Sequence, residues 1–533
     1  MKKYYFLACL AIASVAAQAQ NTYINDRISG SQDVIGTARY VGMGGALGAL
    51  GADLSTMSFN PAGIGLYRKS DIALTFGGLW NTERIKEENS GKGTFDQIGF
   101  VYALKTGSRD CPFFNVGFNY QKKANFHYNF YAPFNLNGLS QMDQIAELVS
   151  YGYDSDYNLA GIAVDNEYLT PIYVPNPDKP GEEMIGRYYN KFSGTYARLA
   201  HHSAGSQNAF DINFSANIRD RGYVGMTIGA ENINYRGWST YYEENSYINE
   251  NNQEIYGDYS LFNDFHVHGY GMNVKFGGIV RPIEDSPFRI GFAFETPTWY
   301  RMKNSTYFDL SDHVENVRTD TRESYLDYNI TTPWKVRASM GSTVGTSFAW
   351  GVDYEFSNHA GTKIGYPNYD DWNNSSIYSS MSNDRDRAMN LYTKSMLRGQ
   401  HTVKAGIEFR PVSAFAIRMG YNFVSSPYNK QVEYDQFSID SWAMNYETGT
   451  SYMRPDVTNI VTFGLGYKFK KFYIDLAYKV RSQKADVYAF DTNFTNPDSD
   501  FSVDNPELSG VTVAPANVNL TRQTITCTLG LKF

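Results

Sequence analysis

From Asp71 to the end of the chain, apolar and polar residues alternate with a period of two. Phe114, Val116, Phe118 and Tyr120 alternate with Asn115, Gly117, Asn119 and Gln121. Phe210, Ile212, Phe214, Ala216 and Ile218 stand against Asp211, Asn213, Ser215 and Asn217, and Phe288, Ile290, Phe292 and Phe294 against Arg289, Gly291, Ala293 and Glu295. That period is the signature of extended strands with one apolar face. A soluble sandwich would bury that face against a second sheet. Here the opposite face carries Asp, Asn, Arg and Glu in mid-strand, as a barrel with a polar lumen and a lipid-facing outside requires. About fourteen such segments are legible, near 71–80, 95–105, 113–131, 207–219, 223–236, 264–281, 287–300, 333–342, 346–356, 400–410, 415–424, 458–469, 472–482 and 521–533. Short connections (Asp220 to Gly222, Pro282 to Ser286, Ser342 to Gly345, Pro411 to Ala414, Lys470-Lys471) alternate with long ones (Ala132 to Gln207, Arg301 to Pro333, Ser357 to Gln400, Ser425 to Asn459). In outer-membrane barrels the short turns face the periplasm and the long loops the outside. The expected fold is all-β, a transmembrane antiparallel barrel.

The stretch from Gly36 to Gly65, GTARYVGMGGALGALGADLSTMSFNPAGIG, breaks this rhythm. Small residues let backbones pack closely, and Pro61 biases Asn60 away from helical geometry, so the stretch reads as a compact, partly helical plug that stops at Asn60-Pro61-Ala62. Its glycines do not form GxGxxG, because Leu47 stands where the third glycine is needed, and no GK[ST] follows. Close packing inside a larger structure is the remaining reading. Ahead of it, Lys2 and Lys3 lead an apolar run to Ala17, and Ala17-Gln18-Ala19 supplies the small residues of a cleavage site. Residues 1–19 thus read as a signal peptide, 20–66 as the plug and 67–533 as the barrel with long extracellular loops.

The plug also carries a resemblance. Gly44-Gly45-Ala46, Ala52-Asp53-Leu54-Ser55 and Asn60-Pro61-Ala62-Gly63 resemble the N-terminal hatch of the FadL/TodX family, outer-membrane channels for long-chain fatty acids and other hydrophobic compounds. Phe288-Arg289-Ile290-Gly291 leading to Thr296-Pro297, and Ile417-Arg418-Met419-Gly420-Tyr421 leading to Ser426-Pro427-Tyr428, look like the family's recurrent arginine-glycine-aromatic strands. The final strand, Ile525 to Phe533, ends on an aromatic residue and resembles the signal read by the barrel assembly machinery. The resemblance implies a barrel in the outer membrane of a Gram-negative bacterium. It implies passive uptake of a hydrophobic small molecule, gated by a hatch in which Asp53, Ser55, Asn60, Pro61 and Ala62 matter. The long loops, rich in Tyr, Asn and Asp, match no family pattern.

Composition narrows the partners. Mean hydropathy is −0.43, yet 43 tyrosines and 34 phenylalanines bring the aromatic content to 16%, and alternating strands span membranes without looking hydrophobic overall. The net charge is −8, which disfavours nucleic acid. Cys111 and Cys527 are too far apart in sequence to set up a disulfide framework or a metal site. No cofactor and no metal are expected.

Three candidate sites stand out. Ser140 to Tyr151 places Met142, Ile145 and Leu148 at helical spacing, either a greasy landing surface for ligands or a stripe that packs on neighbouring loops. Lys122 and Lys123 interrupt the third strand near the outer interface. There they can snorkel to lipopolysaccharide phosphates, or mark a kink that opens laterally, as the resemblance implies for the family's third strand. His266 and His268 share a strand face with Asp264, and His201-His202 are placed in a loop; a haem or metal contact is the alternative to ordinary surface or lumen histidines. No GxSxG is present and serine, histidine and acid partners are scattered, so catalysis is not expected. Two rivals to an uptake channel remain, a barrel adaptor of a secretion system and a haem receptor. Expected partners are a hydrophobic small molecule, outer-membrane lipid and lipopolysaccharide, and the assembly machinery.

Overall fold

The structure is a computed structural model that describes residues 19–30, 33–81, 91–153, 156–249, 251–312, 318–367, 383–430, 432 and 446–533. The leader, apart from Ala19, lies outside the described residues. Fourteen strands form the wall: β1 (Asp71–Asn81), β2 (Gly91–Lys105), β3 (Phe113–Asn125), β4 (Ser193–Ile218), β5 (Gly222–Ile248), β6 (Glu254–Val280), β7 (Arg289–Glu295), β8 (Lys335–Val344), β9 (Phe348–Asn358), β10 (Gly399–Val412), β11 (Phe415–Val424), β12 (Tyr452–Phe469), β13 (Phe472–Tyr488) and β14 (Arg522–Lys532). Each pairs antiparallel with the next. The sheet closes where β14 meets β1, from Asp71 opposite Lys532 to Asn81 opposite Arg522. All fourteen strands fall on the segments picked out by alternation.

Alternation orders the wall inside out. Phe210, Ile212, Phe214 and Ile218 of β4 are exposed on the outside, whereas Asp211, Asn213, Ser215 and Asn217 between them are buried in the lumen. This is an apolar band facing lipid and a polar interior, the arrangement of a membrane-spanning barrel. The protein is a multi-pass outer-membrane barrel with its short turns at one end.

The sequence reading differs from the structure in strand length. β4, β5 and β6 run for 26, 27 and 27 residues, about 90 Å at roughly 3.3 Å per residue, where about 10 suffice to cross the bilayer. Much of the expected loop from Ala132 to Gln207 is therefore sheet. A strand at Tyr128–Gly138 pairs along the outer half of β4, which places His201 and His202 in β4 rather than in a loop. The expected loop from Arg301 to Pro333 contains a hairpin, Trp299–Asp312 with Arg318–Thr331, that continues from β6.

Helices fill the lumen and close its outer end: α1 (Ala19–Gly30), α2 (Ala38–Gly42), α3 (Gln141–Ser150), α4 (Leu159–Asp165) and α5 (Arg387–Met396). α1 and α2 lie inside the barrel with the plug. α3 and α4 cover the extracellular mouth, where Ile145 and Leu148 share one apolar core with Phe134, Leu261, Phe308 and Phe490.

Candidate functional site

The compact stretch of the plug is pinned from Thr37, whose hydroxyl donates to Asp53 at 2.8 Å and accepts from the Tyr40 amide, capping α2. Asp53 caps a short 3-10 turn, Leu54–Ser58, by accepting from the Ser55 amide at 3.0 Å. The Ser55 hydroxyl donates to Gln97 of β2 at 2.9 Å and accepts from the Thr37 amide. Asp53 thus ties the plug to itself, and Ser55 ties it to the wall.

Asn60-Pro61-Ala62 starts a helical turn instead of stopping one. Asn60 is the N-cap of a 3-10 helix, Pro61–Leu66, and accepts from the Ala62 amide at 3.2 Å. Proline suits the first helical position because it lacks an N–H and has its φ already set. Asn60 also donates to the Gly48 carbonyl at 2.8 Å, and the Pro61 carbonyl accepts from Ser215 of β4 at 2.9 Å.

The wall receives the plug through glycines that sequence reasoning missed. Gly341, Gly351, Gly406 and Gly420 lie directly opposite one another across β8, β9, β10 and β11. A Cβ at Gly351 would come within 2.3 Å of the Ala46 carbonyl, and one at Gly420 within 2.2 Å of the Gly44 nitrogen. On the other side, Gly225 faces Pro61 and Gly277 faces Asn60. These positions were visible as glycines inside strand patterns, a sign of close backbone approach, but nothing in the sequence said what approaches.

Charge fixes the rest of the plug. Arg39 reaches Glu408 at 3.5 Å, Arg418 bridges Glu408 and Asp475 at 2.6 Å each, and Lys275 is 2.9 Å from Asp211, to which Ser58 also donates. Arg337 donates to the Phe59 carbonyl at 3.2 Å, while its guanidinium and the Lys404 ammonium lie over the Phe59 ring. Buried pairs of this kind add little net stability, but removing one partner strands the other in low dielectric, so they pin position.

The plug separates two spaces. Toward the periplasm lies a polar cavity of about 260 Å³, lined by Arg39, Asp53, Asp71, Arg410, Asp475 and Lys532 among others. On the extracellular side, α1 stands in the lumen with a pocket on each flank. One, about 80 Å³, is polar and includes Asp26, Asp33, Arg481 and Arg522. The other, about 70 Å³, is aromatic: Ile24, Tyr128, Phe130, His201, Tyr235, Phe265, Tyr428 and Met453 surround Arg27. His201 stacks against Phe130 at 4.9 Å, and the Arg27 guanidinium lies 3.5 Å above the Tyr128 ring. Asp26, next to Arg27, bonds instead to His359 at 2.5 Å and Tyr428 at 2.9 Å. Among the described residues no carboxylate pairs with Arg27. Sequence alone could not find this pocket, because its walls come from α1, the Tyr128–Gly138 strand, β4, β5, β6, β12 and β13.

The remaining candidates divide. Met142, Ile145 and Leu148 are buried in the cap core and present no landing surface; the apolar stripe found a protein partner. The lysines do not snorkel outward. The β3 register slips between Lys122 and Ala124, which turns both side chains inward: Lys122 toward Thr94 and Asp96, and Lys123 to 2.6 Å from Glu231. Pairing of β3 with β2 stops at Gln121 opposite Gln97, and beyond that slip Asn125 to Tyr128 line the polar pocket. His266 and His268 are on the outer face of β6, where His266 bonds to Asn234 at 3.1 Å. Among the described residues, no group of three His, Cys, Asp or Glu could hold a metal.

Comparison with known proteins bears on the fold. No family model matches the sequence, and no curated protein does. The crystal structure of a Pseudomonas aeruginosa FadL homologue aligns with a TM-score of 0.50 at 11% identity, over 94% of this chain and 99% of that one. The CymD monoaromatic hydrocarbon channel gives 0.48 at 10%, and the Pseudomonas putida toluene transporter TodX 0.47 at 10%, each over 94% of this chain and 99% of its own. Similarity at this level of identity is similarity of architecture, and it agrees with a closed antiparallel barrel of fourteen strands. The chain is an outer-membrane β-barrel of fourteen strands with the FadL fold.

Proposed function

We propose that the protein is a channel for passive uptake of hydrophobic small molecules, that the plug is its gate, and that amphiphiles with an anionic head, such as long-chain fatty acids, are among its ligands. The observation that carries this reading is the aromatic pocket around Arg27, a greasy surface with one cation that has no carboxylate partner among the described residues. About 70 Å³ is far below the roughly 300 Å³ of a typical ligand pocket, so a long chain enters only if α1 shifts. The slip in β3 beside the upper space offers a lateral route, and movement of the plug offers a route through the periplasmic cavity. Because the solved neighbours are channels and transporters, transport is favoured over catalysis. Asn60, Pro61, Ala62, Asp53 and Ser55 act through the seat of the plug.

Uptake of labelled oleate and of labelled toluene by cells expressing the barrel at matched surface levels tests the proposal. Arg27→Ala is expected to weaken oleate uptake while sparing toluene. Uptake of neither compound above that of cells lacking the protein would overturn the channel reading; equal loss of both in Arg27→Ala would overturn only the carboxylate preference. No observation favours the secretion-adaptor reading. A haem site at His266 and His268 would have to form on the outside of the wall, with no third ligand among the described residues.

A further inference from the structure

The lipid-facing wall is not uniform. Where β12, β13, β14 and β1 meet near the short-turn end, it sinks into an apolar groove of about 550 Å³, lined by Ile72, Leu74, Phe472, Ile474, Leu529 and Leu531 together with Tyr467 and Phe469. The chain between two of these residues, Phe469 and Phe472, is the two-residue turn Lys470-Lys471. Both lysines are exposed, and neither has an acidic partner among the described residues. The Lys470 ammonium lies 5.5 Å from the centre of the Phe469 ring, at the edge of the groove. Three arginines at this end are neutralised, Arg68 at 2.6 Å from Asp220, Arg219 at 2.7 Å from Asp110 and Arg221 at 3.4 Å from Glu284; Lys105 and Arg109 carry no ion pair among the described residues but lie away from the groove.

Backbone geometry supplies a second, independent observation. Lys470 holds φ +54°, the left-handed region that two-residue hairpin turns demand and that Asn or Gly adopts most cheaply. A lysine there is a local cost, and inside the fold its ammonium has the Phe469 ring beside it but no ion pair among the described residues. An apolar trough that ends at two unneutralised cations, at the depth where strands leave the bilayer, has the chemistry of a lipid with an anionic head.

We propose that this sector binds one anionic glycerophospholipid of the periplasmic leaflet, with its acyl chains in the groove and its phosphate between Lys470 and Lys471. Near a membrane surface each lysine contributes about a fivefold preference for anionic lipid, so the pair is expected to favour phosphatidylglycerol over phosphatidylcholine of the same chains by about 25-fold. Native mass spectrometry of the detergent-purified full-length barrel, titrated with each lipid, measures this directly. The double variant K470N/K471Q is expected to abolish the preference without harming the fold, because Asn relaxes the turn. L529W, which fills the groove, should lower retention of both lipids. K105Q/R109Q, in a short turn away from the groove, should change nothing; heat-modifiable migration verifies that each variant is folded. Equal retention of the two lipids in the wild type, a preference that survives K470N/K471Q, unchanged retention in L529W, or equal loss in K105Q/R109Q would each overturn the proposal. So would competition by glycerol 3-phosphate as effective as by whole lipid, which would leave an anion site only.

Discussion

The lower and upper halves of β5 obey opposite rules with the same geometry. Between Val224 and Glu231, outward residues are Val224, Met226, Ile228 and Ala230, and the inward ones include Thr227 and Glu231. From Asn232 on, the outward residues include Asn232, Asn234, Arg236 and Thr240, with Trp238 and Tyr242 among them, and the inward ones include Ile233, Tyr235 and Tyr241. β6 reverses at the equivalent level, with Phe276 and Met272 outward and Lys275 and Asn273 inward below, and Asp264 outward and Val267, Phe265 and Leu261 inward above. The backbone never changes which way odd residues point; the surroundings do. Below the reversal the solvent is lipid and the interior is held by charge. Above it the solvent is water and the interior is an ordinary apolar core. One sheet is a membrane wall at one end and half of a soluble domain at the other.

This contrast breaks most visibly at a buried charge. Lys275→Met is expected to cost about 3–5 kcal/mol, because it leaves the buried Asp211 without its cation, while Glu231 keeps Lys123. Heat-modifiable migration of the outer-membrane fraction should shift to lower temperature. A variant as heat-stable as the wild type would mean that the lumen is wet enough to screen these charges. A truncation in the other half should hurt only that half. Ile145→Ala removes a fully buried side chain from the cap and is expected to cost about 2–5 kcal/mol, read as faster protease cleavage of residues 141–165 with unaltered barrel migration. Loss of the barrel as well would show that cap and wall fold as one unit.

A smaller change probes the plug. Pro61→Ala returns freedom to the chain at a cost on the order of 1 kcal/mol, and if the plug gates transport, uptake of a hydrophobic probe rises while assembly is intact. Ala62→Trp should change uptake too, since Ala62 is fully buried where Gly225 and Gly277 meet the plug. Uptake equal to wild type in both, at equal surface expression, removes the gating role.

The smallest expected effect is that of pH on the cap. Burial pushes Asp143 up to about 7, against the pull of its bonds to Asn190 and the Ser140 amide, and pushes Glu147 up to about 7 and Glu447 to about 8. A carboxyl group raised in the folded state binds protons more tightly there than in the unfolded chain, so its contribution is complete below about pH 4 and fades as pH climbs through 7–8. Hydrogen exchange in α3 and α4, corrected for chemical rate, should be faster at pH 8.5 than at pH 5.5, with no such change in β7 to β11. Equal protection at both values would place these carboxyl groups in contact with water.

The two halves were not equally legible in the sequence. The membrane half is readable strand by strand, because a lipid-facing band forces strict alternation and each short turn punctuates it. Above the reversal the alternation persists with its meaning inverted, and Ile233, Tyr235 and Tyr241 read as lipid-facing residues out of register. That is why the hairpin from Trp299 to Thr331 and the long ends of β4 to β6 look like loops in the sequence. The plug motif pointed to the right place in the chain, but Asn60 begins a helix because capping depends on its two hydrogen bonds, which sequence does not display. Arg27 gave no signal at all, and His201 read as half of a loop pair rather than as part of an aromatic pocket. They become a site only when α1 enters the lumen.

The row of Gly341, Gly351, Gly406 and Gly420 has a consequence for the order in which the molecule is built. The plug meets β9, β10 and β11 backbone to backbone, with the Leu50 side chain against Gly341 of β8, and α3 and α4 cover the outer mouth above it. The plug precedes every strand in the chain, and the seam joins the first strand to the last. The plug is therefore expected to be in place before the seam closes, so that the wall is wrapped around it. Supplying residues 20–66 as a separate peptide to a barrel assembled without them should fail to restore the native protein.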